Sequence, residues 1–281
     1  MSESMSQWMA MFGHAYGTAL LLALLLPLLG IVLVLRQRLF TAAAVTQSAA
    51  FAFALGMALG VGQVHEGHGG CGPELLALGA CGGALAGMFA MQRQRASSGG
   101  LESWAAALFL FGGSGSMLLL ANAPHGMQEI QRLQLSSLLG ASEADLWVAL
   151  GLAVATVLLF ALRGRRVLLV ASDEAMAQVL GLRTQLWRAG LGLWIGLCLS
   201  FAIHATGLLF AFSCTAMPVL FAREFAGSLR RTLWLAPIVS ILSAGFGLWI
   251  AQREEFDWPP GQAVVAAQAV LAAVAMLRRA R

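Results

Sequence analysis

Residues 13–35 read GHAYGTALLLALLLPLLGIVLVL, an apolar run that contains no Asp, Glu, Lys or Arg. A helix of about 20 predominantly apolar residues is long enough to cross the hydrocarbon core of a bilayer. No basic residue precedes the run, and it is longer than the roughly 7 to 15 apolar residues of a signal-peptide core. We therefore expect a retained helix that spans a membrane.

The composition extends this expectation to the whole chain. Of the 281 residues, 59% are hydrophobic and 11% are charged, whereas about a quarter of the residues of a soluble domain are charged. Apolar runs recur from end to end and leave no room for a separate soluble domain of ordinary size. The sequence thus predicts an all-α, polytopic membrane protein in which residues 1–281 form a single transmembrane domain.

Nine candidate spans result when the chain is divided at its charges and its Gly/Pro-rich stretches. They cover residues 13–35, 41–62, 74–91, 101–121, 145–162, 187–204, 206–221, 232–251 and 261–277. All 17 basic residues are arginines; with the N-terminus outside, Arg132 and Arg253 face one side and the remaining 15 face the other. Basic residues concentrate in cytoplasmic loops, so the side with 15, together with the C-terminus, is predicted to be the cytoplasm. The positive net charge then reflects topology and does not indicate a nucleic-acid-binding surface.

Two segments between spans are predicted to have structure of their own. Residues 124–140, on the outside, carry Met127, Ile130 and Leu133 at near-helical spacing, which is typical of a short helix in the membrane interface.

Residues 172–181, on the inside, are predicted to form a short capped helix. Ser172 is placed to cap the first free amides, Asp173 and Glu174 suit the positive end of the helix dipole, and Gly181 suits a left-handed end. A membrane domain needs such a cytoplasmic helix to receive force from a cytoplasmic motor. The alternative is a purely structural connector.

Short motifs follow one another in order along the chain. They are Val34-Leu35-Arg36, Leu55-Gly56, Gly207-Leu208-Leu209, Met217-Pro218, Ser228-Leu229-Arg230-Arg231 and, at 257–261, DWPPG. In their order and spacing they resemble the motifs of the bacterial ABC importer permeases for the metal ions zinc, manganese and iron. The resemblance covers nearly the whole chain, from residue 21 to residue 277.

This resemblance implies a set of partners for the chain. Two cytoplasmic ATPase subunits would dock on residues 172–181, where Asp173, Glu174, Ala175 and Gly181 match the family's coupling segment. An external solute-binding protein would deliver the substrate, and a second permease copy would complete a dimer in the lipid of the bacterial cytoplasmic (inner) membrane. ATP would be hydrolysed by the partner, because a phosphate-binding G-x-x-x-x-G-K-[ST] loop requires a lysine and this chain has none. We expect no cofactor, no enzymatic site and no nucleic-acid partner for this chain.

The second span departs from the family. Its family pattern, G-D-x-x-S-H-A, places an aspartate and a histidine on one helix face, where they can hold a divalent cation. The matching residues here are Ala43 and Gln47; alanine has no donor atom, and the glutamine amide is neutral. Three alternatives stay open: other ligands pass the cation, the permease moves something else, or the chain is a transport-incompetent partner of a complete copy. Gln47 itself suits either helix packing or the lining of a path.

Other side chains are candidate metal ligands. The external loop between the second and third spans carries His65, Glu66, His68 and Cys71 on a glycine-rich stretch, a donor set that zinc or copper accepts. This loop either collects metal at the mouth of the path or is a flexible, solvated loop. His204, at the outer end of the sixth span, is either a path ligand or a histidine that hydrogen-bonds to backbone or lipid headgroups.

The seventh span offers sulfur donors. Cys214 and Met217 lie on one helix face beside Pro218, which frees a backbone carbonyl. These residues either line the transport path or pack in the core. Cys81, Cys198 and Cys214 lie in apolar segments, where burial rather than a disulfide is expected.

Two other classes of membrane protein compete with an importer permease. A secondary transporter commonly shows repeated halves and intramembrane charges, and an intramembrane enzyme needs a metal site or a catalytic dyad inside its spans. The predicted spans show none of these features, and the second of the two competing classes, an intramembrane enzyme or a membrane scaffold, ranks last. The sequence therefore favours a permease subunit of an ATP-driven importer that moves a divalent metal ion by alternating access.

Overall fold

The structure is a computed structural model that describes residues 2–59, 73–92, 100–121, 141–252 and 258–279. All regular structure within these ranges is helical, which confirms the all-α fold class. The ten helices are α1 (Ser2–Leu35), α2 (Leu39–Ala58), α3 (Pro73–Gln92), α4 (Gly100–Leu120), α5 (Glu143–Ser172), α6 (Glu174–Val179), α7 (Thr184–Thr206), α8 (Leu208–Ala226), α9 (Leu229–Ala251) and α10 (Pro260–Arg279).

Seven helices of the described ranges are long and apolar enough to cross a membrane, namely α1, α2, α5, α7, α8, α9 and α10. Ala77–Gln92 and Trp104–Leu120 form shorter apolar helices, so the number of nine spans stays a prediction. Helix α5 differs most from its predicted span, since it continues beyond residue 162 through three arginines to Ser172. Charges end a membrane span without ending the helix, because the backbone hydrogen bonds of a helix are satisfied internally on both sides of the interface.

The second half of helix α1, from residue 22 to residue 34, is buried on all sides. Leu22, Ala23, Ile31 and Val32, which point in four different directions around the helix, are each at most 1% exposed. A helix that is apolar all round can be accommodated only inside the protein or in lipid. Residues 22–34 of the apolar run therefore belong to the buried interior of the protein.

The chain divides into two compact units. The first contains the described residues of 1–28, 135–157 and 205–281, and the second those of 29–134 and 158–204. In the first unit α8, α9 and α10 pack on one another, and in the second α2 packs on both α3 and α4. Whether the two units together form the single transmembrane domain predicted for residues 1–281 stays a prediction.

Glycines bring α3 and α7 of the second unit into backbone contact. A Cβ atom added to Gly196 would lie 2.7 Å from the carbonyl carbon of Gly83, and one added to Gly192 would lie 2.9 Å from that of Gly87. Small residues at such positions let two helices approach closely in a membrane. This contact fixes α7, the helix that follows the predicted coupling segment.

Two arginines from the turn between α1 and α2 bind the ends of other helices in the second unit. Arg36 Nη2 donates to the Val170 carbonyl in the last turn of α5 at 2.8 Å, and Arg38 Nη1 donates to the Ala90 carbonyl in the last turn of α3 at 2.6 Å. The last carbonyls of a helix lack intrahelical donors and attract cations. These bonds bring a basic turn and two helix C-termini to the same end of the unit, and α6 follows directly from one of them.

Candidate coupling and transport sites

A single residue, Asp173, separates the end of α5 from the beginning of α6. Asp173 has an extended backbone (φ −141°), and its side chain accepts a hydrogen bond from the Met176 amide at 3.0 Å, so Asp173 is the N-cap. The prediction that Ser172 caps this helix is wrong: α5 includes Ser172, whose hydroxyl donates to the Leu168 carbonyl at 2.8 Å. Glu174 occupies the first turn, where its charge suits the helix dipole.

The end of this segment has the predicted geometry. Gly181 adopts a left-handed conformation with φ +75°, which glycine reaches without steric cost. The Leu182 amide donates to the Ala177 carbonyl at 3.1 Å, and the Gly181 amide donates to the Gln178 carbonyl at 2.9 Å. Both ends of the short helix are therefore fixed by local hydrogen bonds.

An ion pair and a hydrogen bond join α6 to α7. Arg188 Nη1 lies 2.8 Å from Glu174 Oε1, with the arginine side chain 8% exposed and the glutamate 29%. Gln178 Nε2 donates to Thr184 Oγ1 at 3.3 Å. A nearly buried guanidinium is stable only beside an opposite charge, so this pair holds α6 in one orientation. Sequence reasoning missed Arg188 because the pair is formed across a turn and not along one helix face.

The opposite side of α6 exposes apolar side chains. Val179 is 82% exposed, Leu180 59% and Met176 48%, whereas Ala177 is fully buried; Ala175 is exposed beside them. Adjoining exposed apolar side chains bordered by polar groups are typical of an interaction surface. Sequence reasoning missed this surface, although three apolar residues in a capped segment too short to span a membrane were a readable signal.

In the second unit, Gln47 of α2 lies in a close contact with α4. Its side chain is buried, and a Cβ atom added to Gly112 would lie 2.8 Å from the Gln47 carbonyl oxygen. Gln47 Oε1 has no hydrogen-bond partner among the described residues, and it lies 3.3 Å from the place that a Cβ of Gly113 would occupy. The glycine pair thus makes room for the glutamine between the two helices.

The same face of α2 carries Ala43. This residue is buried, and its carbonyl accepts a hydrogen bond from Thr46 Oγ1 at 2.7 Å. One turn beyond Gln47, Phe51 packs against Phe111 of α4 with ring centroids 5.4 Å apart. At positions 43 and 47 this face therefore presents a methyl group, which cannot bind a cation, and a neutral amide.

The first unit contains a buried polar cluster around Cys214. Gln268 Nε2 of α10 donates to Cys214 Sγ at 3.2 Å. Pro218, also buried, has no amide hydrogen, so the Cys214 carbonyl four residues earlier lacks its helical donor. Gln268 Oε1 is buried without a hydrogen-bond partner within the described ranges, and the buried Ser240 interacts with Cys214 in the same cluster. Sequence reasoning identified Cys214 and Pro218 and missed their two polar neighbours; Met217 is only partly buried.

Within the described residues, the predicted metal ligands do not come together in a metal site. His204 is half-buried, and its ring stacks on Phe53 with centroids 5.7 Å apart. No group of three or more His, Cys, Asp or Glu side chains that could hold a metal ion occurs in the part of the chain that the structure describes. His65, His68 and Cys71 lie outside that part, as do residues 124–140, and their roles stay predictions.

The described cysteines are free. Cys198 and Cys214 are buried as expected, but Cys81 is exposed. The expected burial of Cys81 is wrong because this side of α3 faces outward, away from the glycines that contact α7.

The described residues combine seven helices that are long and apolar enough to cross a membrane with a short capped helix that exposes apolar side chains. The chain matches the model of the ABC 3 transport family over residues 9–279. It therefore belongs to this family, whose members are membrane permeases of ABC transporters.

Relatives and solved structures agree with this assignment. The chain is 27% identical over 134 residues to the manganese import system permease protein ScaB of Streptococcus pneumoniae. These 134 residues are 48% of each of the two chains. The chain is 32% identical over 105 residues to the high-affinity zinc uptake system membrane protein ZnuB of Buchnera aphidicola, 37% of this chain and 40% of that one. The alignments thus span about half the length of these relatives or less. One chain of the structure of PsaBC from Streptococcus pneumoniae in complex with Fab has a TM-score of 0.78 at 17% identity, over 98% of this chain and 95% of that one, which shows a shared fold.

Proposed function

We propose that this chain is the membrane-spanning permease subunit of an ATP-driven importer of a divalent metal ion of the zinc or manganese type. The observation that carries the proposal is helix α6, which is capped, tied to α7 by the pair of Glu174 and Arg188, and exposes Val179 and its apolar neighbours. This surface is the docking site of an ATPase subunit. Movement of the ATPase is transmitted to α7 through the ion pair.

The proposed topology has nine spans, with the N-terminus outside and the C-terminus in the cytoplasm of a bacterium. It is supported by the position of the arginines: Arg36 and Arg38 bind the C-terminal ends of α5 and α3, and Arg188 binds α6. A single end of the second unit thus gathers arginines from the turn between α1 and α2 and from the start of α7, as the cytoplasmic side of a membrane protein does.

The proposed cargo and partners rest on the relatives. ScaB is named for manganese import and ZnuB for zinc uptake. An external solute-binding protein delivers the ion, a second permease copy completes the dimer, and alternating access moves the ion across. The chain itself hydrolyses no ATP.

Reconstitution tests this proposal. The full chain, the ATPase subunit and the solute-binding protein encoded beside it are placed in proteoliposomes, and uptake of radioactive Zn²⁺ and Mn²⁺ is measured. We expect uptake that requires ATP and stops when the ATPase carries a substitution of its phosphate-loop lysine. Uptake by this chain alone, driven by an ion gradient, would contradict the proposal and indicate a secondary transporter.

A second candidate function is the import of a different cargo, such as a metal ion in complexed form. It is favoured by the neutral face of α2, where Ala43 and Gln47 replace the family's charged pair. The double variant Ala43→Asp with Gln47→His tests it, with Ala44→Asp and Ser48→His as the matched control one position round the helix. Raised uptake of the bare ion by the first variant alone would show that the wild-type face handles another cargo. Unchanged uptake in both would remove this candidate.

A further inference from the structure

A groove lies between α5 and α7 within the second unit. Its volume is about 390 Å³. The residues that give it its chemistry are Leu159, Arg163, Trp187, Gly190, Leu191 and Trp194. Among the described residues nothing fills the groove at Gly190, because a Cβ atom added there would meet none of their atoms within 4 Å.

The two ends of the groove differ in polarity. At one end the Arg163 guanidinium lies over the Trp187 ring, 5.8 Å from its centroid. One helical turn away, about 6 Å, Leu159 of α5 and Leu191 of α7 make the wall apolar. The groove therefore has a cationic and aromatic mouth and a hydrocarbon interior.

We propose that this groove binds one anionic phospholipid, with its phosphate on Arg163 and the first part of an acyl chain along Leu159, Leu191 and Trp194. Basic pockets between transmembrane helices on the cytoplasmic side suit anionic lipid headgroups. A planar guanidinium matches phosphate oxygens in geometry, and tryptophan prefers the headgroup level of a bilayer. The lipid occupies the predicted cytoplasmic leaflet, next to the two helices that flank α6.

Charge favours a lipid over a second copy of this chain as the occupant. Arg163, Arg165 and Arg166 lie within one turn of α5, and all three are exposed. A two-fold contact through the groove would place the same arginine cluster on both sides of the interface, and like charges across an interface are unfavourable. An anionic headgroup neutralises the cluster instead.

Lipid retention by the purified full chain tests the proposal. The chain is titrated with phosphatidylglycerol or phosphatidylcholine, and bound lipid is counted by native mass spectrometry. We expect one retained phosphatidylglycerol and a loss of about fivefold in its affinity for Arg163→Gln, the factor that corresponds to one basic residue at a membrane surface. Arg165→Gln is the matched control, since it removes the same charge from roughly the opposite side of α5 and should retain the lipid.

The variant Gly190→Leu distinguishes binding of the lipid inside the groove from a general attraction of anionic lipid to the arginines. It fills the open space without removing a charge, so we expect it to lose the lipid while the chain elutes as the wild type does. Equal lipid loss in Arg163→Gln and Arg165→Gln, equal retention of phosphatidylcholine, or retention by Gly190→Leu would each overturn the proposal. A change from dimer to monomer in Gly190→Leu would overturn it in favour of a second copy as the occupant.

Discussion

The short helix α6 and the second helix α2 differ in how much of the family's pattern they retain. In α6 the acidic first turn and Gly181 are present, and each has the local role that its position predicts. In α2 the positions of the metal-binding pair hold Ala43 and Gln47, and Gln47 packs on the glycines of α4. The contrast indicates that the proposed docking surface on α6 and the helix face that holds the family's metal-binding pair can change independently: the first keeps the family's residues here, while Gln47 on the second packs on α4.

The largest effect is expected from a charge on the exposed surface of α6. Val179→Asp should lower ATP-dependent uptake at least about tenfold, because a charge buried in an apolar contact costs more than ~1.4 kcal/mol. Uptake in proteoliposomes measures it. The control is Gln185→Asp, which adds the same charge at an exposed position of α7; equal losses in both variants would mean that α6 is not the docking surface.

A smaller effect is expected in the contact between α2 and α4. Gly112→Ala places a methyl group against the Gln47 backbone and should lower the free energy of unfolding by about 1 to 3 kcal/mol. Gly113→Ala should cost less, because its methyl group meets only the tip of the glutamine side chain, at 3.3 Å. Thermal unfolding in detergent compares the two. If Gly112→Ala were as stable as the wild type, Gln47 would not be in a tight packing contact with α4.

The smallest effect is expected at the N-cap of α6. Asp173→Ala removes the acceptor of the Met176 amide and should destabilise the helix by about 1 kcal/mol. Hydrogen exchange at that amide measures the loss locally. Ser172→Ala leaves the cap intact and should exchange as the wild type does. Faster exchange in Ser172→Ala than in Asp173→Ala would reverse the assignment of the cap.

The sequence predicts well what local chemistry determines. The apolar runs predict the helices, and Gly181 predicts a left-handed end because few other residues adopt that conformation. The predicted cap, Ser172, lies one residue before the observed one, because the arginines after residue 162 mark the end of the membrane span and not the end of α5. A helix continues beyond the hydrocarbon as long as its own hydrogen bonds do, so Ser172 belongs to α5.

The sequence does not predict which helices meet. From the sequence, Gln47 suits either helix packing or the lining of a path. The structure places it against Gly112, a residue of another helix, and the helix that packs against a given surface depends on residues distant in the sequence. Arg188 and Gln268 were missed for the same reason: each acts on a residue of another helix.

The most direct test of the account is a cross-link from the exposed surface of α6. A cysteine introduced as Val179→Cys, in a chain whose Cys71 and Cys81 are changed to Ser, is treated with a bifunctional maleimide in membranes that contain the co-expressed ATPase subunit. The account predicts a product that contains this chain and the nucleotide-hydrolysing subunit, and no such product from Gln185→Cys. Labelling of Val179→Cys by an impermeant maleimide from outside the cell, without any ATPase adduct, would contradict it.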